Sequence, residues 1–342
     1  MQNRKEDRSM SRVICSISGL TIVCMVFAFG ECLSSHAQES KDVIRVGMIG
    51  LDTSHVIAFT AMMNDPSKPE HVSGARVVAG FKGGSTDIES SYGRVDNYTA
   101  DLRDRWGVKI VDSIPQLCTM VDAVMIESVD GRPHLAQAKP VIEAGLPFFI
   151  DKPMAGSLAD AIEIARLARK ANVPWFSSSS LRFAGDIRKA IDPDVVGKIV
   201  ACDAYSPCSL EPHHPDLFWY GIHGVEILYA AMGPGCVSVS RVSTPDMDVV
   251  VGQWKDGRVG TFRGMRTGKG GYGCTVFGEK AVVTGEGQDY RGLVSEIVKF
   301  FKTRKPPVPP EETLELLAFM EAADKSKEQR GAPVPMPKIS LE

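Results

Sequence analysis

Phe148-Phe149-Ile150-Asp151-Lys152-Pro153 is the stretch of sequence from which the fold can be worked out. Its apolar run predicts a short buried strand of a parallel sheet. Pro153 ends that strand, because proline has no N–H to donate and fixes its own φ. Lys152 is therefore placed at the carboxyl end of a strand, which is the edge where open α/β sheets bind ligands. The lysine is either a surface residue or a working ammonium group.

Strands and helices alternate on both sides of this stretch. We predict further strands at Val43–Ile49, Ala75–Phe81, Val108–Val111, Val121–Ile126 and Val173–Ser178, with helical segments between them. This alternation predicts an α/β fold that begins with a doubly wound parallel sheet, the Rossmann arrangement.

The pattern changes after about Arg182. A helix is predicted at residues 219–232. Strand-like runs with glycine-containing turns follow at residues 237–241, 248–254, 258–263, 273–277 and 281–284, which predicts an α+β domain with a mostly antiparallel open sheet. The predicted organisation is a leader at residues 1–37, a nucleotide-binding Rossmann domain at residues 38–180, and a substrate and oligomerisation domain at residues 181–342. The open sheet favours self-association into a homo-oligomer.

The amino terminus has the layout of a secretory signal peptide. Basic residues including Arg4 and Arg8 precede an apolar run at residues 13–30, and Ser35-His36-Ala37 provides small residues for cleavage. We therefore predict cleavage after Ala37 and export to the periplasm or the extracellular space. A retained membrane anchor is the alternative, although the run is interrupted and short for a span of about 20 residues.

Composition excludes several classes of function. The net charge of the 342-residue chain is −3, so nothing favours a nucleic-acid partner or an anionic membrane surface. Beyond the leader the chain has five cysteines without a CxxC spacing, which predicts neither a zinc site nor a disulfide framework. No metal is therefore predicted, and the expected partner is a small molecule.

The turn after the first strand is a candidate nucleotide-binding turn. A dinucleotide fingerprint has three glycines, but here only Gly50 is present, with Asp52 and His55 at the other two positions. Thr53 or Ser54 caps the next helix, whose free N–H groups suit an anion. These residues support a dinucleotide turn and a plain strand-helix turn about equally.

The end of the second strand bears on the choice of cofactor. Lys82 and Ser85 stand where an acid would grip the ribose of NAD. A cation and a hydroxyl suit the 2′-phosphate of NADP better, which gives NADP a modest preference over NAD. A solvated lysine is an equally good interpretation of Lys82.

Several motifs together resemble one family. Val46-Gly47-Met48-Ile49-Gly50, His134 at a helix start, Asp151-Lys152-Pro153, Arg182-Phe183 and Val196-Gly197-Lys198-Ile199 are similar to the Gfo/Idh/MocA family of glucose–fructose oxidoreductases and inositol dehydrogenases. The resemblance runs from about Val43 to Pro337, and its most specific piece is the acid-Lys-Pro motif, with Asp151 for the usual glutamate. It implies a Rossmann domain, an open antiparallel sheet and NAD(P)-dependent oxidation or reduction of sugars and cyclitols.

The resemblance also implies two catalytic groups. It places Lys152 near the nicotinamide and the reacting hydroxyl, and it matches His223 to a helical histidine of the second domain. Trp219 stands where the family often has an aspartate, so we expect Glu226, on the same helical face, to orient the imidazole. The predicted cofactor-binding residues are Gly50, Asp52, Thr53, Ser54, His55, Lys82, Ser85, Glu127, His134, Asp151, Lys152 and Arg182.

A polar segment precedes the helix of His223. His213, His214 and Asp216 could bind a metal, but adjacent side chains seldom converge on one ion, so a loop that binds sugar hydroxyls is preferred. Trp219 and Tyr220 could pack on a sugar face, and helix-core packing explains them equally well. The glycine-rich stretch at residues 267–273 is a flexible turn first and a substrate loop second.

Three functions are compatible with the sequence. The first is an exported NAD(P)-dependent oxidoreductase that acts on a sugar or polyol through Lys152 and His223. The second is a redox-neutral glycosidase or lyase with a tightly bound cofactor, because free nicotinamide cofactor is scarce outside the cytoplasm. The third is a non-catalytic carbohydrate-binding protein on the same fold, which the altered glycine motif favours.

Overall fold

The computed structural model describes residues 43–341 and begins with a parallel sheet of six strands. The strand order is β3-β2-β1-β4-β5-β6, and every neighbouring pair is parallel. The predicted Rossmann arrangement is therefore confirmed. From β1 the chain first extends the sheet on one side through β2 and β3, and it then crosses back to place β4 on the other side of β1. At this reversal of strand order a crevice opens at the carboxyl ends of β1 and β4. The strands are β1 Ile44–Ile49, β2 Ala75–Phe81, β3 Lys109–Val111, β4 Ala123–Ile126, β5 Phe148–Ile150 and β6 Trp175–Ser177.

Helices connect these strands. Side chains of Thr53 and Ser157 accept hydrogen bonds from backbone N–H groups at the starts of the first and last of them. All four residues of β4 and all three of β5 are buried, as their unbroken apolar runs require. The helices are α1 Ser54–Asn64, α2 Glu89–Tyr92, α3 Val95–Asp104, α4 Ile114–Cys118, α5 His134–Glu143 and α6 Leu158–Ala171.

A second sheet of seven strands follows, in the order β12-β11-β7-β10-β9-β8-β13. Most of its pairs are antiparallel, as predicted, but β7 and β10 pair in parallel at its centre. Hairpins between consecutive strands could be predicted from the turns that join them. The parallel pair could not, because no local sequence signal marks two strands that lie so far apart in the chain. The strands are β7 Ile199–Pro207, β8 Cys236–Ser243, β9 Met247–Trp254, β10 Val259–Met265, β11 Gly273–Gly278, β12 Val282–Glu286 and β13 Val334–Pro335.

One predicted helix proves to be two. The sequence predicted a single helix over Trp219–Met232, but the first helix ends at Trp219 and the second begins at Ile222. Tyr220, with a φ of −132°, leaves the helical conformation between them. The helices here are α7 Gly185–Ala190, α8 Pro193–Val196, α9 Asp216–Trp219, α10 Ile222–Met232, α11 Arg291–Thr303 and α12 Pro310–Glu328, and a 3₁₀ turn spans Ser180–Phe183.

Helix α12 joins the two sheets. It packs against α6 and β6 of the first sheet layer and against β8 and α10 of the second. Leu317 and Phe319, both fully buried, belong to a core cluster that also contains Ile126 of the first sheet and Phe262 of the second. The active-site candidates therefore lie on a framework that one helix holds together.

The described residues contain no helix long and apolar enough to cross a membrane. The predicted leader, residues 1–37, lies outside them. Its cleavage, the export of the protein and the boundary near residue 180 stay predictions.

Candidate active site

The two predicted catalytic side chains line one cavity of about 280 Å³. Lys152 follows β5 of the first sheet, and His223 lies in the first turn of α10, which packs on the second sheet. Each residue is only 8% exposed. Residues 71 positions apart in the sequence therefore meet where the two sheet layers adjoin.

Ser179 holds the imidazole of His223. Its Oγ lies 2.8 Å from His223 Nδ1 and also accepts a hydrogen bond from the N–H of Leu181. A serine hydroxyl can donate to Nδ1 or accept from it, and where Ser179 donates, the ring proton lies on Nε2. Burial, followed by the nearby Lys152 and His55, lowers the pKa of His223 well below its usual range, so the ring is neutral.

The expected contact between Glu226 and the imidazole of His223 is not found among the described residues. Its Oε1 accepts hydrogen bonds from Ser178 Oγ at 2.9 Å and from Arg182 Nε at 2.5 Å. A buried guanidinium competes for a carboxylate more strongly than a neutral ring does, since both groups are then charged. Ser179 therefore takes the place that the sequence assigned to Glu226.

Lys152 keeps its ammonium group available. Its Nζ lies 5.5 Å from the centre of the Tyr220 ring. Among residues 43–341, no carboxylate oxygen lies within ion-pair distance of this Nζ. Its backbone N–H donates to Asp151 Oδ1 at 2.8 Å, which fixes the course of the chain at the motif.

The first βα turn depends on Gly50. Its φ is +83°, and a Cβ there would lie 2.0 Å from Ser128 Oγ and 2.5 Å from Ser128 N. Glycine is therefore required by both the backbone conformation and the close approach of the loop after β4. Gly50 is therefore needed to form the predicted turn, independently of which ligand the turn binds.

Asp52 turns its carboxylate into the protein. It is fully buried, and it accepts hydrogen bonds from Ser91 Oγ at 2.5 Å and from the N–H of Val129 at 2.9 Å. Burial raises the pKa of Asp52, and these hydrogen bonds oppose the rise only in part. A carboxylate beside a pyrophosphate would repel it, and this orientation and the raised pKa reduce that repulsion. The same hydrogen bonds tie the β1 turn to the loop after β4.

The mouth of the cavity suits an anionic group. Thr53 and Ser54 line it at the amino terminus of α1, an eleven-residue helix, and Arg94 lines it as well. Free N–H groups at a helix start, together with two cations, Arg94 and Lys152, attract phosphate. The residues present therefore fit the phosphates of a dinucleotide at this turn.

His55 contacts the acid of the acid-Lys-Pro motif. Its Nδ1 lies 2.6 Å from Asp151 Oδ2, and its ring packs against Phe59 and Tyr290. Burial raises the pKa of Asp151, but His55 and Lys152 outweigh burial and leave that pKa below its usual value. The histidine in the third glycine position is therefore a partner of the motif.

Two of the predicted cofactor contacts are engaged elsewhere. Lys82 forms an exposed ion pair with Asp96 at 2.5 Å. Ser85 donates to Asp130 Oδ2 at 2.6 Å. The sequence-based preference for NADP depended on these two residues, and neither lines the cavity.

His134 and Arg182 lie in the interior. The ring nitrogens of His134 contact the carbonyl oxygens of Ser128 at 3.0 Å and Met154 at 3.2 Å. Arg182 lies between Glu226 and Glu312, at 2.5 and 2.6 Å. His134 ties the loop after β4 to the motif loop, and Arg182 ties α10 to α12.

The predicted substrate residues separate into two groups. Trp219 and Tyr220 line the cavity. His213 is exposed beside Glu211, and His214 is buried, with Nε2 as the acceptor for the N–H of Gly131 at 3.3 Å. Burial lowers the pKa of His214 to about 4.

Asp216 belongs to a separate cluster. It pairs with Arg241 at 3.0 Å and with Lys327 at 2.5 Å. Arg241 also lines a larger opening of about 620 Å³, which contains none of the predicted site residues. The contribution of Asp216 is therefore to the packing of α9 against β8.

The cavity wall also contains residues outside the predicted site. Tyr272 comes from the glycine-rich loop, whose second interpretation was a substrate loop, and its hydroxyl lies 3.4 Å from that of Tyr220. Its ring lies 5.6 Å from that of His223. Tyr290 and Gln288 come from the loop before α11, where no pattern marks them. A glycine-rich loop with one aromatic residue was a usable signal for Tyr272 alone.

Comparison with known proteins first defines the class. Residues 44–178, which contain the first sheet, match the family model described as "Oxidoreductase family, NAD-binding Rossmann fold". That model is GFO_IDH_MocA, the model of the Gfo/Idh/MocA family, and the residues it matches are fewer than half of the 342-residue chain. The resemblance predicted from the sequence motifs is confirmed.

One curated relative matches a shorter segment. A stretch of 110 residues is 27% identical to "Putative oxidoreductase YceM" of Salmonella typhimurium (strain LT2). This stretch is 32% of the chain, and it spans about a third of that relative, 36% of its length.

Solved structures match most of the chain. A structure named "probable dehydrogenase from Thermotoga maritima" is 20% identical with a TM-score of 0.71, over 87% of this chain and all of the other. The scyllo-inositol dehydrogenase of Lactobacillus casei, solved with NAD(H) and scyllo-inositol, is 15% identical with a TM-score of 0.69, over 86% and 99%. At these identities the matches establish the fold of both sheet layers.

Proposed function

We propose that the protein is an NAD-dependent oxidoreductase that acts on a CH–OH group of a sugar or polyol. The observation that carries this proposal is that Lys152 and His223 line one cavity although they come from different sheet layers. The match of residues 44–178 to the model of an oxidoreductase family supports it.

The dinucleotide would be held at the first βα turn. Gly50 shapes the turn, and Thr53, Ser54 and Arg94, which line the cavity, would hold the phosphates. NAD is preferred over NADP, because Lys82 is paired with Asp96 and the family model is NAD-binding. When bound, the dinucleotide supplies the hydride acceptor.

The side chains of the protein would handle the hydroxyl proton. His223, neutral and with Nε2–H directed away from Ser179, donates a hydrogen bond to the substrate oxygen. Lys152, in its neutral amine form, accepts the hydroxyl proton as the carbon is oxidised and becomes the ammonium. The two groups thus divide the roles of positioning and proton transfer.

The cavity wall suits a small polyhydroxylated ring. Trp219 and Tyr220 offer aromatic faces for C–H groups, and the hydroxyls of Tyr272 and Tyr290 offer hydrogen bonds. The Lactobacillus casei enzyme was solved with scyllo-inositol, a ring of this kind. A cyclitol or monosaccharide is therefore the proposed substrate class.

Released cofactor tests the proposal directly. The purified protein is denatured, and the supernatant is assayed for NAD(H) and NADP(H); binding of added NADH is measured in parallel. We expect NAD(H) in the supernatant or saturable binding of NADH, followed by reduction of NAD with a cyclitol or sugar. Neither release nor binding would refute the function. Turnover of a glycoside without added cofactor would instead identify the redox-neutral reaction.

One observation favours a second candidate, a non-catalytic carbohydrate-binding protein. Asp52 joins the β1 turn to the loop after β4 across the sheet position where the family fold places its cofactor. A protein of this kind would bind a sugar with equal affinity in the presence and absence of NAD. Calorimetric titration of a sugar with and without NAD separates the two functions.

The outward face of the second sheet is proposed as a contact between copies of the chain. Val242, Val259 and Val282 are 66%, 42% and 63% exposed. The strand register places all three on the face opposite α10. Light scattering should give a mass above that of one chain, and Val259→Glu should lower it.

A further inference from the structure

Three side chains that can ligate metals meet beneath the cavity. His55 lies in the first turn of α1, Glu127 directly follows β4 and Asp151 directly follows β5. One ligand atom of each lies within 4.8 Å of those of the other two. The three strands involved are neighbours in the sheet, so their carboxyl ends bring the residues together. A single ion with bonds of about 2.0–2.2 Å can bridge groups at such separations after small adjustments.

Glu127 is the unusual member of this cluster. It is fully buried, and among residues 43–341 neither carboxylate oxygen has a hydrogen-bond partner. Burying a carboxylate without a partner is strongly unfavourable, so native proteins rarely leave one in that condition. Its oxygens face the other two ligand groups, which identifies the direction from which a partner would come.

The local charge also favours a bound cation. Glu127 and Asp151 are adjacent buried carboxylates, and Asp52 adds a third acidic group nearby. Lys152 is the ammonium group that acts on both members of the pair. One lysine balances one of two carboxylates, and the imidazole of His55 is the remaining neighbour.

The supporting contacts hold the ligands in place. Asp151 Oδ1 accepts the backbone N–H of Lys152, which leaves Oδ2 directed at His55. The His55 ring is fixed between Phe59 and Tyr290, at centroid distances of 5.0 and 4.9 Å. Metal sites depend on such surrounding contacts for ligand orientation.

We propose that His55, Glu127 and Asp151 bind a divalent transition-metal ion of the Zn²⁺ class. One imidazole and two carboxylates form a ligand set that zinc accepts, whereas the imidazole disfavours Ca²⁺ and Mg²⁺. Three protein ligands leave a coordination position open. His55 lines the cavity, so the ion is reached from the side on which Lys152 and His223 lie.

No sequence pattern indicated this site. Its ligands are at positions 55, 127 and 151, without the short spacings by which metal sites are recognised. His55 stands at a glycine position of the fingerprint, and Asp151 is the acid of the motif. The fold alone places them together.

Metal binding is tested without cofactor or substrate, so its outcome is independent of the proposed oxidoreductase activity. The full chain is treated with a chelator, dialysed, and loaded separately with Zn²⁺ and Mg²⁺. Bound metal is counted by inductively coupled plasma mass spectrometry, and the melting temperature is recorded. We expect about one Zn²⁺ per chain, a higher melting temperature with Zn²⁺, and no retained Mg²⁺.

Glu127→Gln and Asp52→Asn form a matched pair, since both replace a buried carboxylate with its amide. We expect Glu127→Gln, which removes a ligand, to weaken Zn²⁺ binding at least about 100-fold, and Asp52→Asn, which removes only a neighbouring charge, to weaken it far less. Circular dichroism confirms that each variant is folded, and His55→Ala provides a second ligand deletion if Glu127→Gln does not fold. The proposal is overturned if the wild-type chain fails to bind Zn²⁺, or if the ligand variants bind it as tightly as the wild type.

Discussion

Ser179 Oγ lies 2.8 Å from Nδ1 of His223, and this contact links the end of the first sheet to a helix of the second. Ser179 lies two residues beyond β6, while His223 lies in the first turn of α10. The contact fixes which ring nitrogen faces the cavity. The position of the second catalytic group is thus set by the first sheet layer as well as by its own helix.

Replacing Ser179 tests this positioning role. Ser179→Ala should lower kcat by about 10- to 100-fold with a smaller change in KM, because the ring loses its fixed tautomer. The pH profile of kcat should also shift, which lost packing alone would not cause. Ser179→Thr, which retains the hydroxyl, should restore most of the activity. Ser178→Ala is the control, since Ser178 contacts Glu226; a similar loss in both variants would contradict the assignment.

Lys152→Met should abolish turnover and leave the fold intact. The loss of a group that accepts the substrate proton costs about 10²- to 10⁴-fold in rate. Lys152 forms no ion pair within residues 43–341, but its charge acts on the buried Glu127 and Asp151, so the variant should remain folded with a lowered melting temperature. Lys82→Met is the matched control, because Lys82 is exposed and pairs with Asp96. Steady-state rates of the two variants test this prediction, and undiminished turnover in Lys152→Met would refute the role of Lys152 in proton transfer.

Gly50→Ala should destabilise the protein by more than about 3 kcal/mol, through backbone strain and overlap with Ser128. Gly107→Ala separates these two causes. Gly107 also has a positive φ, of +67°, but a Cβ added there would have no other atom within 4 Å. We expect Gly107→Ala to lower the free energy of unfolding by about 1–2 kcal/mol, from backbone strain alone. Urea unfolding measures both free energies, and equal losses would show that the contact with Ser128 is unimportant.

Arg241→Met should be among the most destabilising substitutions outside the cavity. The fully buried guanidinium pairs with Asp216, Asp248 and Asp324 at 3.0, 3.0 and 2.5 Å. Its removal takes the central cation from this cluster, in which Asp248 retains Arg266 and Asp216 retains Lys327 while Asp324 loses its ion-pair partner. Breaking a buried ion pair costs about 3–5 kcal/mol. Arg258→Met, which breaks a half-exposed pair with Asp256, should cost less than about 1 kcal/mol. Unfolding free energies of similar size in the two variants would contradict this interpretation.

Asp324 should make stability depend on pH near neutrality. Burial, reinforced by Asp216 and opposed by Arg241, raises the pKa of Asp324 to about 7. The folded state then binds a proton that the unfolded state has released, so stability should fall as the pH rises from about 4 to about 7. Asp324→Asn should remove this part of the decrease. Melting temperatures across the range test it, and an unchanged pH dependence in the variant would exclude Asp324 as the source.

Most of the fold could be predicted because its elements are locally marked. The apolar run Phe148–Ile150 is ended by Pro153, and the boundaries of β8 to β12 fall close to those predicted from their turns. The parallel pairing of β7 with β10 could not be predicted, since it joins strands separated by two helices and two other strands. Tyr220 likewise breaks a helix that its sequence pattern continues.

The residues of the candidate site that lie at recognisable motif positions could be predicted. Lys152 and His223 were identified from motif positions, and the structure places both in one cavity. The contact of Ser179 with His223 joins residues 44 positions apart, and the cluster of His55, Glu127 and Asp151 joins three separate strand ends. Such groups are created by sheet order, which no local pattern encodes. Glu226 failed as the orienting group for a related reason, because Arg182 reaches it from another element.

Helix α12 has a consequence for the biogenesis of the protein. It packs against elements of both sheet layers, and β13, which follows it, completes the edge of the second sheet beside β8. Ribosomes deliver the amino-terminal part of a chain first, and domains generally fold as they emerge. Here the apolar faces that α12 covers remain open until that helix has itself left the exit tunnel. The nascent chain therefore exposes these apolar faces until almost all of the described residues have been synthesised.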